Sequence, residues 1–67
     1  MNQESYGERI KRFRLRRRMS QEELARRAQV SKKTITDIEK GKREPQLNTL
    51  RAIAEALGID PMEILGP

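Results

Sequence analysis

The sequence predicts an all-α domain of five short helices. Apolar residues recur at spacings of three and four from Tyr6 to Leu65, no segment alternates as a half-buried strand does, and the N-cap residues Ser20, Ser31 and Asp60 head periodic stretches. The 67 residues allow one domain, spanning 1–67 with short flexible ends at about 1–4 and 66–67. A core of that size removes only about 60% of the unfolded chain's surface from water. With no cysteine and no histidine, disulfides, thiolate chemistry and the commonest metal ligands are excluded. Stability must come from helix packing, and no cofactor or metal is expected.

The first helix lies in SYGERIKRFRLRRRM, where Tyr6, Ile10 and Phe13 form one apolar stripe. Seven basic residues crowd the stretch from Arg9 to Arg18. An arginine-rich RNA-binding helix or a membrane-surface helix would also look like this, but more helices follow that need a packing partner, which favours a core stripe beneath a basic outer face. The second helix starts near Gln21. Ser20 and Glu23 have the spacing of a reciprocal capping box, and Leu24, Ala25 and Ala28 form its apolar side.

Ser31 caps a third helix running from about Lys32 to Lys40, with Gly41 as its stop. At about 100° per residue, Ile35 and Ile38 fall together on one side, while Lys32, Lys33, Thr36, Asp37 and Lys40 share the opposite arc. The fourth helix carries Leu47, Leu50, Ile53, Ala54 and Leu57 between Pro45 and Gly58. DPMEIL repeats the start signal, with Asp60 as cap, Pro61 in the first turn and Glu63 at the box position, and presents Met62, Ile64 and Leu65 on a fifth helix.

Charge is distributed unevenly. Residues 1–43 hold 14 Lys/Arg against 6 Asp/Glu, whereas residues 44–67 hold 1 against 4. One part of the chain is built to meet a polyanion, and nucleic acid leads because neutralising phosphates releases counterions. No apolar run is long enough to span a membrane and the N-terminus lacks a signal-peptide core, so a cytoplasmic, nucleoid-associated protein without membrane contact is expected. Catalysis is not expected: there is no Gly-rich phosphate loop and no acidic cluster with metal-binding spacing, and there is little room for a small-molecule substrate.

A short helix, a tight turn and a second helix with an apolar back and a hydrogen-bonding front make a helix-turn-helix, formed here by the second and third helices. From Gly7 to Leu65 the chain resembles the lambda-repressor-like (Cro type, XRE) helix-turn-helix family. The resemblance rests on the Ser20-Gln21 start, Leu24-Ala25, Val30-Ser31, Ile35, Ile38-Glu39, Gly41, Pro45 and the LRAIAEALGI segment, in family order and spacing.

That resemblance implies a partner, double-stranded DNA, and a role for each position. Lys32, Lys33, Thr36 and Asp37 would read bases: lysine donates to guanine, aspartate accepts from cytosine N4 or instead pairs with Lys33 or Arg43, and the threonine methyl touches thymine. Gln21 and Ser31 would meet the DNA backbone at helix starts, Gln21 also bracing the first residue of the third helix, while Lys40, Lys42 and Arg43 would grip phosphates. Arg14 and Glu39 would form a partly buried structural ion pair. The expected function is that of a transcriptional regulator or repressor, or of an engineered DNA binder on the same scaffold, acting as a homodimer or a monomer. The alternatives are a nucleic-acid binder that reads no bases and a protein-interaction module using Leu15, Met62, Ile64 and Leu65.

The chain departs from the family at Gln29 and Arg18, where glycine is common. A left-handed backbone at Gln29 would cost about 1–2 kcal/mol, whereas Arg18 adds a cation where the helix dipole favours one. The sequence therefore leaves the turn before Val30 and the end of the first helix open to a different construction.

Overall fold

The computed structural model describes residues 4–66, and among them are five α-helices and no strand. They are α1 (Tyr6–Arg16), α2 (Gln21–Ala28), α3 (Lys32–Glu39), α4 (Leu47–Leu57) and α5 (Met62–Leu65).

Local chemistry sets where each helix begins. The Ser5 hydroxyl accepts from the Glu8 amide and the Glu8 carboxylate accepts from the Ser5 amide, a complete capping box ahead of α1. At α2 only half of the expected box forms. Ser20 accepts from the Glu23 amide at 3.0 Å, but the Glu23 carboxylate turns to Arg27, 2.8 Å away, because an i,i+4 cation competes for it. Ser31 caps α3 through the Thr34 amide. Asp60 accepts from the Met62 amide and donates its own amide to Glu63, completing the start of α5.

Four helices stop in the same way. Arg18 (φ 53°), Gln29 (φ 59°), Gly41 (φ 77°) and Gly58 (φ 71°) are left-handed. The amides that follow them, on Met19, Val30, Lys42 and Ile59, donate back to the carbonyls of Arg14, Ala25, Asp37 and Ala54 at 2.8–3.1 Å. The turn before Val30 and the end of α1 thus keep the geometry that glycine would favour, and two L-residues bear the strain.

The core draws on all five helices: Ile10, Leu24, Ile35, Ile38, Leu50, Ile53, Leu57 and Ile64 are fully buried. Ala25 and Ala28 bring α2 close to its neighbours α3 and α4. Two expected core positions are largely outside, Tyr6 and Leu47. Each is the first residue of its helix, and a helical side chain leans toward the N-terminus, so these two overhang the end of the packed face. On α5, Ile64 is buried and Met62 exposed, so Ile64 is not part of a surface offered to a partner.

Gly7 is a feature that periodicity does not reveal. It is buried in the first turn of α1, and a Cβ built there would run into the Ile38 carbonyl oxygen and lie 2.9 Å from the Glu39 Cα. Only glycine lets α1 settle on the end of α3.

Glu4 before α1 and the end of α5 are tied to α1. Glu4 and Arg12 form a two-bond ion pair at 2.8 and 2.9 Å, with the Arg12 guanidinium 4.8 Å from the Phe13 ring centre. Arg9 donates to the carbonyls of Ile64 and Gly66 at the end of α5. Residues 1–3 and 67, most of the expected flexible ends, lie outside the described residues.

Gly7→Ala should destabilise the domain by about 1–3 kcal/mol in a thermal melt, although in an open helix the same change stabilises by about 1 kcal/mol. Gln29→Gly and Arg18→Gly should each raise the melting temperature, by roughly 2–6 °C for a gain of about 0.5–1 kcal/mol. A fall at either position would show that the side chain supplies more than the left-handed backbone costs.

Candidate nucleic-acid interface

The outer face of α3 is the centre of the candidate site, and burial of Ile35 and Ile38 determines which residues occupy it. Lys32, Lys33 and Lys40 are exposed on that face, with Thr36 and Asp37 half-buried at its edges. Beyond Gly41, Lys42 and Arg43 continue the basic surface and are also exposed.

A buried polar chain fixes α3 against the rest of the molecule. Arg14 donates from Nε and Nη2 to the Glu39 carboxylate at 2.7 and 3.0 Å, and from Nη1 to the Met19 carbonyl at 2.8 Å. The two side chains are 9% and 3% exposed, so the pair is desolvated and its hydrogen-bond satisfaction decides whether it stabilises or destabilises. Gln21 donates to Glu39 at 3.0 Å and accepts from the Thr36 hydroxyl at 2.8 Å. Among the described residues no buried side-chain nitrogen or oxygen lacks a partner.

The brace from Gln21 lands on a different residue than expected, and the Thr36, Ser31 and Asp37 side chains have partners within the protein. Gln21 braces Thr36 and Glu39 rather than the first residue of α3, because Thr36 lies one turn further along the side of α3 that faces α2. The Thr36 hydroxyl proton is accordingly committed within the protein. Ser31 is committed as well, accepting from the Thr34 amide at 3.1 Å and pairing with the Thr34 hydroxyl at 2.9 Å. Asp37 is only 16% exposed and lies between two cations, 3.4 Å from Lys33 Nζ and 3.9 Å from Arg43 Nη2. Arg43 also donates to the Thr34 hydroxyl at 3.3 Å.

Two features of the site escape sequence reasoning: the Met19 carbonyl as third acceptor for Arg14, and Gly7 beneath the end of α3. A glycine inside an otherwise strong helix signal was the available clue to the second. On α1 and just beyond its end, Lys11, Arg16, Arg17 and Arg18 are exposed, and none has an ion-pair partner among the described residues. Among the described residues no helix is long and apolar enough to cross a membrane, and no three His, Cys, Asp or Glu side chains are placed to hold a metal ion.

Comparison with known proteins matches the family described as helix-turn-helix to residues 10–64. The immunity repressor protein of Bacillus phage phi105 is 43% identical over 60 residues, covering 90% of this chain and 42% of the phage protein, so the chain spans less than half of that relative. Control protein C.BamHI of Bacillus amyloliquefaciens is 36% identical over 61 residues, 90% of this chain and 75% of its own length. Among solved structures, the P22 c2 repressor in complex with synthetic operator 9T is similar with a TM-score of 0.89 at 30% identity, covering 96% of this chain and 97% of that one.

Removing one partner of the buried pair strands the other charge. Arg14→Met or Glu39→Leu alone should cost about 3–5 kcal/mol, and the double variant less than the sum of the two. Chemical denaturation of the four proteins measures the coupling, and simple additivity would show that the two charges do not support one another.

Proposed function

The chain belongs to the helix-turn-helix family of lambda-repressor-like (Cro, XRE) domains, and from that premise we propose that it binds double-stranded DNA sequence-specifically as a transcriptional regulator. The observation that carries the reading is the outer face of α3, where Lys32, Lys33 and Lys40 are free of the core while Gln21, Glu39 and Arg14 hold the helix rigid behind them. A base-reading helix must be held within a fraction of an ångström, and a buried hydrogen-bonded brace does that more securely than a mobile surface.

In this reading α3 enters the major groove. Lys32 and Lys33 donate to guanine O6 and N7, and Thr36 supplies apolar contact, its hydroxyl being occupied by Gln21. Lys40, Lys42, Arg43 and the first-turn amides of α2 and α3, including those beside Gln21 and Ser31, take phosphates and set the register. Phosphate contacts supply affinity without sequence preference, and each good base contact adds about 1–3 kcal/mol of discrimination. The excess of basic residues before Glu44 supports this division, since it places positive charge on the segment that carries α3. Resemblance to an operator-bound repressor and to a control protein supports the regulatory role. Members of this class act on paired half-sites, which supports a homodimer on DNA.

Selection from a random duplex library at near-physiological salt should enrich a motif, with inverted half-sites about one helical turn apart if the bound species is a dimer and one short asymmetric site if it is a monomer. Lys32→Ala combined with Lys33→Ala should abolish enrichment and leave the melting temperature within a few degrees of the parent. Retention of the same motif by the double variant would remove α3 from the reading.

A further inference from the structure

Asp37 is out of place on a face that meets phosphates. It is the only carboxylate on the outer arc of α3, since Glu39, the other acid of that helix, is bound to Arg14 behind the site. Its side chain is 16% exposed, whereas Lys33 beside it is 80% exposed and Arg43 51%. One oxygen of Asp37 faces both cations, at 3.4 Å from Lys33 and 3.9 Å from Arg43. Arg43 is held on its other side by the Thr34 hydroxyl, which pairs with the Ser31 hydroxyl. The result is a connected row from the exposed middle of α3 to the loop that follows it, with the single negative charge at its centre.

The two positive ends of that row differ in freedom. Lys33 is one helical turn before Asp37, so the carboxylate draws its ammonium along the helix axis. Arg43 comes from the loop, and Asp37 and Thr34 together draw its guanidinium back against α3. Without the carboxylate, two long flexible cations would be free to seek any phosphate within reach. With it, each phosphate contact made by Lys33 or Arg43 must break an existing interaction. Non-specific complexes, whose affinity is almost wholly phosphate contact, bear that cost in full. A correctly docked complex avoids it, because the Lys33 ammonium has three donors and reaches guanine while still paired with Asp37.

We infer that Asp37 is a positioning residue that sets specificity: it restrains Lys33 and Arg43 and so weakens binding to incorrect duplexes more than to the correct one. The inference rests on the DNA-binding reading above and assigns Asp37 a different part from the base contact expected of it. The carboxylate acts on the two cations and touches no base.

The test measures Asp37→Asn against the parent on the duplex selected above and on a scrambled duplex of equal length, across a range of salt. The asparagine keeps the shape and removes the charge, and thermal melting of both proteins confirms an intact fold. Expected are tighter binding of the scrambled duplex by about three- to tenfold, a smaller gain on the selected duplex, and an unchanged preferred motif. The log–log salt slope on the scrambled duplex should steepen by about one phosphate contact. In a Lys33→Gln, Arg43→Gln background the same substitution should leave the ratio of the two affinities unchanged. Equal tightening on both duplexes would make Asp37 a mere repulsive charge and overturn the proposal, as would a motif altered at one base pair, which would make it a direct reader. A parent protein that enriches no motif would refute the DNA-binding reading itself, before the variant is measured.

Discussion

Arg14 and Glu39 meet where α1, the start of α2 and the end of α3 converge, and the placement of the outer face of α3 depends on that contact. The pair is nearly dry, and in such a setting the attraction between two charges barely repays their removal from water unless every remaining donor and acceptor finds a partner. Here the Met19 carbonyl and the Gln21 amide provide those partners, and Gln21 passes the constraint to Thr36. An apolar pair of similar volume would serve stability as well. What it would not supply is direction, because hydrogen bonds of fixed geometry determine how far α3 is turned about its axis.

Close approach of the backbones makes that contact possible. Gly7 lets α1 rest on the last residues of α3, and Ala25 and Ala28 do the same for α2 against its neighbours. A 67-residue chain has little apolar area to spend, so short distances between helices count for more than large side chains. The ends of the helices obey the same economy. Four left-handed stops reverse the chain within a few residues and satisfy backbone carbonyls that would otherwise be orphaned, even where Arg18 and Gln29 must adopt a conformation suited to glycine.

Charge is arranged in two layers. The buried layer, Arg14 with Glu39, is closed and fully bonded, while the outer layer around α3 is cationic with Asp37 as its single negative member. The first fixes a surface and the second adjusts how that surface meets a polyanion. Keeping them separate means that strong, salt-dependent attraction outside does not loosen the geometry inside. The basic residues of α1 belong to neither layer: Arg9 and Arg12 hold Gly66 and Glu4 against the helix, and Lys11 and Arg16 are exposed without an ion-pair partner among the described residues.

Much of this was legible in the primary structure because it depends on local physics. Helical period, the caps at Ser20, Ser31 and Asp60, and the glycine stops at Gly41 and Gly58 each involve residues within a turn or two of one another, and they defined five helices and the outward arc of α3. The complete capping box at Ser5 and Glu8 is equally local and has the same spacing as Ser20 and Glu23, whereas the box at Ser20 fails because Arg27, one turn further on, competes for Glu23. Tertiary structure decided the rest: that Gly7 is needed for steric reasons, that Gln29 and Arg18 are left-handed, that Gln21 reaches Thr36, and that Arg43 folds back toward Asp37 and Thr34. Those outcomes depend on distances between residues brought together only when the helices pack. Sequence alone determined which faces exist, and packing determined which side chains on those faces remained free.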